Sequence, residues 1–442
     1  MGFERVLQAT ATLAAPDTLE AFTQHIDPQW IDEALEATGT ATVRRRRLPA
    51  ERVVWLVVGM AMYRDRPIDD VVTKLDLALP GPSGPVARSS IAQARQRLGS
   101  QPLRWLFERC AQTWTHRSAD AHRWRGLALY GIDGSSLRIP DSPENRSEYG
   151  GQKGRGGTQS GYPLVRIAVL MALRSHLLAA AEFGPYEKTH ELEYARPLIE
   201  KIPPHSLTIL DRGFYKASFL LDIAKNENRH WLVRVRSNVS ARTTAKLGPR
   251  DELVELDVSS HARKAEPELP KTFQARLIRY KRAGFPEVLL LTSLTDPNRY
   301  PRDEIVALYH ERWEVELGYD ELKTELLERE EAIRSRTPDG VRQEVWGVLL
   351  AYNLVRLEME DVAREAKVEP TRVSFVFALR LIRDEWLWLA VTSPGAIPKR
   401  LAELRRKLKL FVLPPRRAER TYPRAVKIKM SNYDRKRPVT VK

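Results

Sequence analysis

Between Leu127 and Arg236 the chain carries five short apolar runs, and their order limits the folds open to it. LALYGID (127–133), YPLVRIAVLMAL (162–173), LLAAAEF (177–183), LTILD (207–211) and HWLVRVR (230–236) are rich in residues that favour a pleated, covered surface. The first three follow one another with no helical stretch between them, whereas ELEYARPLIEKI and KASFLLDIAKN read as helices separating the later ones. Three consecutive strands followed by helix–strand alternation predict a mixed sheet with helices packed on it. Two runs end in an aspartate with glycine close behind, Asp133-Gly134 and Asp211 with Gly213. Both aspartates are therefore expected at strand ends, where sites form on such sheets, although Asp-Gly is also an ordinary turn signal.

The segment 238–298 alternates again through ELVELDV, FQARLIRYK and EVLLLTSL, and reads as a β insertion ahead of a helix. Upstream, residues 1–120 read as all helical. VVWLVVGMAMY, opened by Leu48-Pro49, is a buried helix, RPIDDVVTKL a second and SSIAQARQRLG a third. In the third, Ser90 and Gln93 have capping-box spacing, and Gly99 stands where a helix ends. Its Gln93, Arg95, Gln96 and Arg97 would suit a helix reading a DNA groove, and Arg44 to Arg47 are a phosphate-binding candidate. The glycine-rich stretch 150–161 lacks the strand and helix that phosphate-cradling loops need, and reads as a loop touching DNA through Lys153 and Arg155.

Charge narrows the partners. Residues 399–442 hold 16 Lys and Arg against 3 Asp and Glu, so the rest of the chain carries only +2 of the total +15. A concentrated basic segment interleaved with Phe411, Tyr422 and Tyr433 suits a polyanion, most simply nucleic acid. The longest apolar run, Val53 to Tyr63, has 11 residues, short of the roughly 20 that span a bilayer. The first residues have no basic start followed by an apolar core, so export is not expected and a reducing cytoplasm is. The single cysteine, Cys110, excludes an internal disulfide and a cysteine-rich zinc site, and reads as a small core residue.

The stretch YHERWEVELGYDELK (309–323) adds a third carboxylate. On one regular helix, Tyr309, Arg312, Glu316 and Lys323 would point to about 0°, 300°, 340° and 320°, a single stripe. Glu311 and Glu314 fall off it, at about 200° and 140°. Three carboxylates, Asp133, Asp211 and Glu316, suffice to hold two divalent cations for phosphoryl transfer. Asp141 is a nearby rival for Asp133, but it sits in a Pro-flanked loop.

The spacing Tyr-x2-Arg-x3-Glu-x6-Lys, filled by Tyr309, Arg312, Glu316 and Lys323, resembles the motif of the insertion-sequence-four family of bacterial DDE transposases. YGIDGSSLRIPDSPENRSEYG resembles the family's first-aspartate block, LTILDRGFY its second, and residues 27–72 its N-terminal domain, so the likeness runs in order from about residue 20 to 365. It implies a ribonuclease-H-like core, a five-stranded mixed sheet with flanking helices interrupted by the β insertion, behind an all-α N-terminal domain. The expected division is 1–120 for DNA binding, 121–237 and 299–398 for the catalytic domain, 238–298 for the insertion and 399–442 for the basic tail.

By the same resemblance, Asp133, Asp211 and Glu316 are catalytic metal ligands for two Mg2+ ions, with Mn2+ able to substitute, and Tyr309, Arg312 and Lys323 bind DNA phosphates. The implied reaction is cleavage at the ends of an insertion sequence, through a hairpin in characterised relatives, and joining of the 3′ ends to target DNA. The implied partners are double-stranded transposon-end and target DNA, met by a homodimer, with no membrane. The alternatives are a ribonuclease-H-like nuclease without strand joining and a non-catalytic DNA-binding inhibitor derived from a transposase. One departure stands out: relatives stack a flipped base on an insertion tryptophan, and 238–298 here has none, only Phe273, Tyr280 and Phe285, with Trp231 before it and Trp313 after.

Overall fold

The computed structural model describes residues 25–41, 47–79, 85–152, 161–187, 189–282, 285–328, 333–389 and 394–415. Arg44 to Arg46, Lys153, Arg155, Tyr422 and Tyr433 therefore lie outside the described residues.

Among the described residues five helices come first: α1 (Pro28–Ala37), α2 (Ala50–Met62), α3 (Ile68–Lys74), α4 (Arg88–Leu98) and α5 (Gln101–Ala121). Helix α2 is the predicted buried one; all its residues but Glu51 are covered. Cys110 is fully buried in α5, as read from the sequence. Then follow β1 (Ala128–Arg138), α6 (Pro143–Tyr149), β2 (Leu164–Ala172), β3 (Leu178–Pro185), α7 (Glu191–Ala195), β4 (Ser206–Leu210), α8 (Ala217–Ala224) and β5 (Arg229–Val235). The insertion supplies β6 (Arg242–Gly248), β7 (Asp251–Asp257), α9 (Ser260–Ala265), β8 (Thr272–Tyr280) and β9 (Val288–Thr292). Helices α10 (Arg302–Tyr309), α11 (Trp313–Asp320), α12 (Pro338–Ala366), α13 (Phe375–Leu389) and α14 (Ile397–Leu408) complete the described chain.

The nine strands among the described residues form one sheet in the order β3-β2-β1-β4-β5-β9-β8-β7-β6. The pairs β1–β2 and β2–β3 are antiparallel, while β1–β4 and β4–β5 are parallel, which is the mixed five-stranded sheet expected. The insertion joins it edge to edge: β9 pairs antiparallel with β5 and the remaining strands extend the sheet outward. Strand β6 had no sequence signal, because RTTAKLG has no apolar alternation and is almost wholly exposed.

The sheet separates two cores. Leu129, Val169, Leu207 and Ile209 face α5 and α12, whereas Ala128, Ile132, Leu170 and Leu210 face α8 and the segment after α7. The N-terminal helices share the first core, with Trp55 of α2 meeting Trp386 of α13 edge-on at 6.4 Å.

Two local expectations change. Helix α4 starts at Arg88 with no side-chain cap, so the Ser90–Gln93 spacing lies inside it, while Gly99 does end it. Arg95 is not offered to a groove: it donates to Gln343 Oε1 (2.8 Å) and Ser335 Oγ (3.1 Å), joining α4 to α12. Gln93, Gln96 and Arg97 remain on the exposed face. The basic segment also begins inside packed structure, because α14 buries Leu401, Leu404 and Leu408, and Arg405 pairs with Glu358 (3.2 Å) and Asp361 (2.7 Å) of α12. Among the described residues no helix is long and apolar enough to cross a membrane.

Candidate active site

Asp133 and Asp211 are brought together by strand register. Ile132 of β1 lies opposite Leu210 of β4 in the parallel ladder, and the two aspartates are the next residue of each chain segment. Backbones paired this way run about 4.8 Å apart and point matched side chains to the same face. Asp211 keeps extended torsions (φ −79°, ψ 175°), so the match carries one residue past the end of β4. The sequence put both aspartates at strand ends. That holds for Asp211, but β1 runs on to Arg138, paired there with β2 alone. The site is thus the notch left where β4 stops and β1 continues.

Asp133 Oδ1 accepts from the Gly134 N–H (2.9 Å), and Asp211 Oδ1 from the Gly213 N–H (2.6 Å). Burial, with the charges of Asp211 and Glu191 added, pushes Asp133 up to about 7, against the Gly134 N–H and Arg312. No basic side chain among the described residues pairs with either aspartate. The rival carboxylates all have basic partners: Asp141 has Arg146 (2.5 Å), Glu311 has Arg174 (2.8 Å), and Glu314 has His176 (2.8 Å).

The segment bearing Glu316 is helical from Arg302 to Leu326 but changes pitch twice, with a tight 3-10 turn at His310–Arg312 and a wide π turn at Glu321–Leu326. The regular helix on which the stripe was drawn is therefore corrected by these two turns, although Arg312 and Glu316 still meet across one α-helical turn (2.8 Å). What the segment keeps is a match to β1. Val315 packs on Gly131, where a Cβ would collide with it; Tyr319 donates to the Asp133 carbonyl (2.9 Å); and Lys323 Nζ lies 3.2 Å from Ser135 Oγ. Four helical residues rise about 6 Å and two strand residues about 6.6 Å, so the two elements stay in step. Behind it, Glu321 meets Arg356, His176 and the Tyr352 hydroxyl (2.8 Å); against the upward push of burial, Arg356 and His176 hold it down at about 2.

Arg312 Nη2 donates to Glu316 Oε1 (2.8 Å), and its charge also reaches Asp133. Burial pushes the neighbouring Tyr309 phenol up to about 12, so it stays a donor. Burial and Arg138 lower Lys323. Asp133, Asp211 and Glu316 are not all within 4.8 Å of one another; the one described group of three metal-type donors that is, His25, Glu358 and Asp361, already has Arg405 on both carboxylates. Unneutralised carboxylate oxygens around the notch nevertheless fit a hard divalent cation, which favours such donors.

A family profile described as the insertion element 4 transposase N-terminal domain matches residues 16–108, and one described as the transposase DDE domain matches 104–354. The transposase InsG for insertion sequence element IS4 of Escherichia coli K12 is 41% identical over 411 residues, covering 92% of each chain. The chain belongs to the DDE transposases of the IS4 family. The putative transposase InsZ of the same organism is 36% identical over 284 residues, 61% of this chain and 92% of that protein. A solved piggyBac transposase synaptic complex with hairpin DNA aligns at TM-score 0.42 and 12% identity over 90% of this chain and 85% of that one, too loose a likeness to bear on the fold. This transposase is thus an enzyme acting on DNA, of a family that works with divalent metal ions. Its α13, α14 and basic segment lie beyond both matched regions.

Among the aromatics weighed in the sequence, Trp231, Phe273 and Tyr280 are buried in this transposase. Phe285, near the β8–β9 turn, is 55% exposed, and Trp313 is 41% exposed with Arg312 over its ring at 5.0 Å. One acidic residue at the notch had escaped the sequence reading. Glu191, the first residue of α7, lies against Gly134, and nothing in the spacing of HELEY points to it.

Proposed function

We propose that this transposase cuts the ends of an insertion sequence and joins the freed 3′ ends to target DNA, cut-and-paste transposition by phosphoryl transfer. Asp133, Asp211 and Glu316 are its catalytic metal ligands in this reading. The observation that carries it is the register setting the two aspartates side by side under the segment that bears Glu316. The ions are two Mg2+, with Mn2+ able to substitute, because all donors are carboxylate oxygens. Bound there, such ions supply Lewis acidity to the attacking oxygen and stabilise the leaving oxygen of an in-line displacement.

A magnesium ion with ligands at about 2.1 Å spans donors no more than about 4.2 Å apart. Glu316 therefore has to leave Arg312, or serve an ion of its own. In the first case the guanidinium is released to take a phosphate oxygen, with its planar fork suited to that contact. Tyr309 donates a hydrogen bond and Lys323 a point charge to neighbouring phosphates. The exposed Trp313 and Phe285 are the aromatics best placed to stack on an unpaired base if the ends pass through a hairpin. The partners are double-stranded end and target DNA, held by a homodimer in the bacterial cytoplasm. Residues 1–120 grip DNA, 121–237 and 299–398 carry the chemistry around the insertion 238–298, and the basic tail after residue 408 adds phosphate contacts.

The test is the purified chain with Mg2+ and a DNA carrying the ends of its own element. Joined products are expected. Nicks without joining would leave a nuclease, and a shifted but uncut duplex a DNA-binding inhibitor. Glu316→Gln is expected to abolish cutting while DNA binding stays near normal, and a variant that still cuts at the parent rate would remove Glu316 from the site. Deleting residues 416–442 is expected to flatten the salt dependence of DNA binding, read from the slope of affinity against salt.

A further inference from the structure

We propose that Glu191 is a fourth carboxylate of the metal site, entering the notch from the face of the sheet opposite Asp133. The proposal rests on the reading of Asp133, Asp211 and Glu316 as metal ligands. Alternate residues of a strand point to opposite faces, so Gly134, next to Asp133, turns its vacant side-chain position toward α7. A Cβ there would stand 2.5 Å from the Glu191 Cγ and closer still to its Oε1. The missing side chain is what admits the carboxylate. As a result, the Asp-Gly pair that resembles a turn in the sequence is a gap in the sheet surface, filled by an acid brought from 57 positions down the chain.

The surroundings make a purely structural role hard to sustain. Among the described residues, no lysine, arginine or histidine pairs with Glu191 within 4.0 Å, and Arg166, the cation whose field reaches it, lies over the Tyr186 ring at 4.2 Å. The charges bearing on Glu191 include Asp211, and Glu191 in turn bears on Asp133. The Gly134 N–H, which donates to Asp133 Oδ1, also serves Glu191. Asp133 and Glu191 thus meet at Gly134 where β4 has ended, with the charge of Asp211, held on the Gly213 N–H, bearing on both, and among the described residues no basic side chain pairs with any of the three. Such an arrangement is repulsive by itself and becomes favourable when a divalent cation enters. Other partly or fully buried acids of the chain have found their cations in the protein, Glu344 with Arg64, Glu358 with Arg405 and Asp251 with Arg276.

The experiment measures Mn2+ binding to the full chain by calorimetry, without DNA, for the parent and for Glu191→Gln, Glu191→Asp and Asp133→Asn. Glu191→Gln is expected to weaken Mn2+ binding about tenfold or more, the range that follows loss of a supporting ligand, with Glu191→Asp in between. In cutting assays the Mg2+ needed for half-maximal rate should rise by a similar factor. With EDTA present, Glu191→Gln is expected to melt no lower than the parent, because it removes one of three like charges. If Asp133→Asn weakens Mn2+ binding and Glu191→Gln leaves it within twofold, Glu191 is not a ligand and the three-carboxylate site stands. A lower melting temperature with unchanged Mn2+ affinity makes Glu191 a packing residue and overturns the proposal equally. A parent that binds no Mn2+, or binds it no better than Asp133→Asn, refutes the underlying site instead. Should Glu191→Gln fail to fold, Glu191→Asp decides: parent-like affinity overturns the proposal, weakened affinity supports it.

Discussion

Strands β4 and β6 belong to one sheet and are built on opposite terms. Every residue of β4 is buried, whereas β6 is exposed at six of its seven positions. Strand β4 lies between parallel neighbours with helices on both faces, so it has no polar face to show and reads as an unbroken apolar run. Strand β6 is the outermost strand of the sheet and is held by β7 alone. The inner half fixes the two aspartates by backbone register, which substitutions of surface side chains do not disturb. The outer half leaves its surface open to contact. It is not a loose appendage, however: Arg276 of β8, fully buried, pairs with Asp251 (2.5 Å) and donates to the Tyr300 carbonyl (2.7 Å) just ahead of α10.

Four measurements would sharpen or break this contrast. The largest effect belongs to the inner half: Asp133→Asn is expected to slow DNA cutting on the order of a thousandfold or more, the equivalent of roughly 4 kcal/mol. Phe285→Ala in the outer half should leave single-strand nicking of the same substrate within a fewfold. Equal losses in both would erase the distinction.

Second, Arg276→Met strands a buried Asp251 and is expected to lower stability by about 3–5 kcal/mol in denaturant titrations. A near-neutral result would mean that the root of the insertion is as tolerant as its rim.

Third, Asp133 titrates near 7 in the folded chain against 3.8 as its ordinary value, so folding favours its protonated form. That contribution is complete below about pH 3.8 and is lost as the pH rises through about 7. In EDTA the protein should therefore lose on the order of 2–4 kcal/mol from this group between pH 5 and 8. Saturating Mg2+ should restore it, and Asp133→Asn should flatten the slope. A melting temperature insensitive to pH in EDTA would contradict the crowding of the notch. The smallest effect is assigned to the rim: Lys246→Ala on β6 should change stability by no more than about 0.5 kcal/mol.

The same contrast explains what could be read from the sequence. Covered strands announce themselves, so the runs 127–133, 162–173, 177–183, 207–211 and 230–236 all became strands within a few residues of the expected bounds. Both aspartates and the Tyr309-to-Lys323 spacing were visible because they sit on or beside such elements. What escaped depends on partners far along the chain. Nothing local to residues 288–292 says that β9 will pair with β5, and the polar RTTAKLG has no periodicity to betray a strand. Arg95 looked like a DNA contact because its partner Gln343 is 248 residues away. The helical wheel assumes one pitch, and the segment uses three, which no local spacing signals. Glu191 was hidden because its meaning lies in a missing side chain on another strand.

The notch between β1 and β4 also sets a length scale. If Asp133 and Asp211 hold the two ions proposed, those ions would stand about 4 Å apart, and peptide hydrogen bonding between neighbouring strands holds the two aspartates on backbones about 4.8 Å apart. On the proposed reading, the gauge of the reaction would be inherited from the hydrogen bond, the least mutable part of a protein. Side chains around it can drift over generations without altering that ruler, so long as the two strands stay laced together.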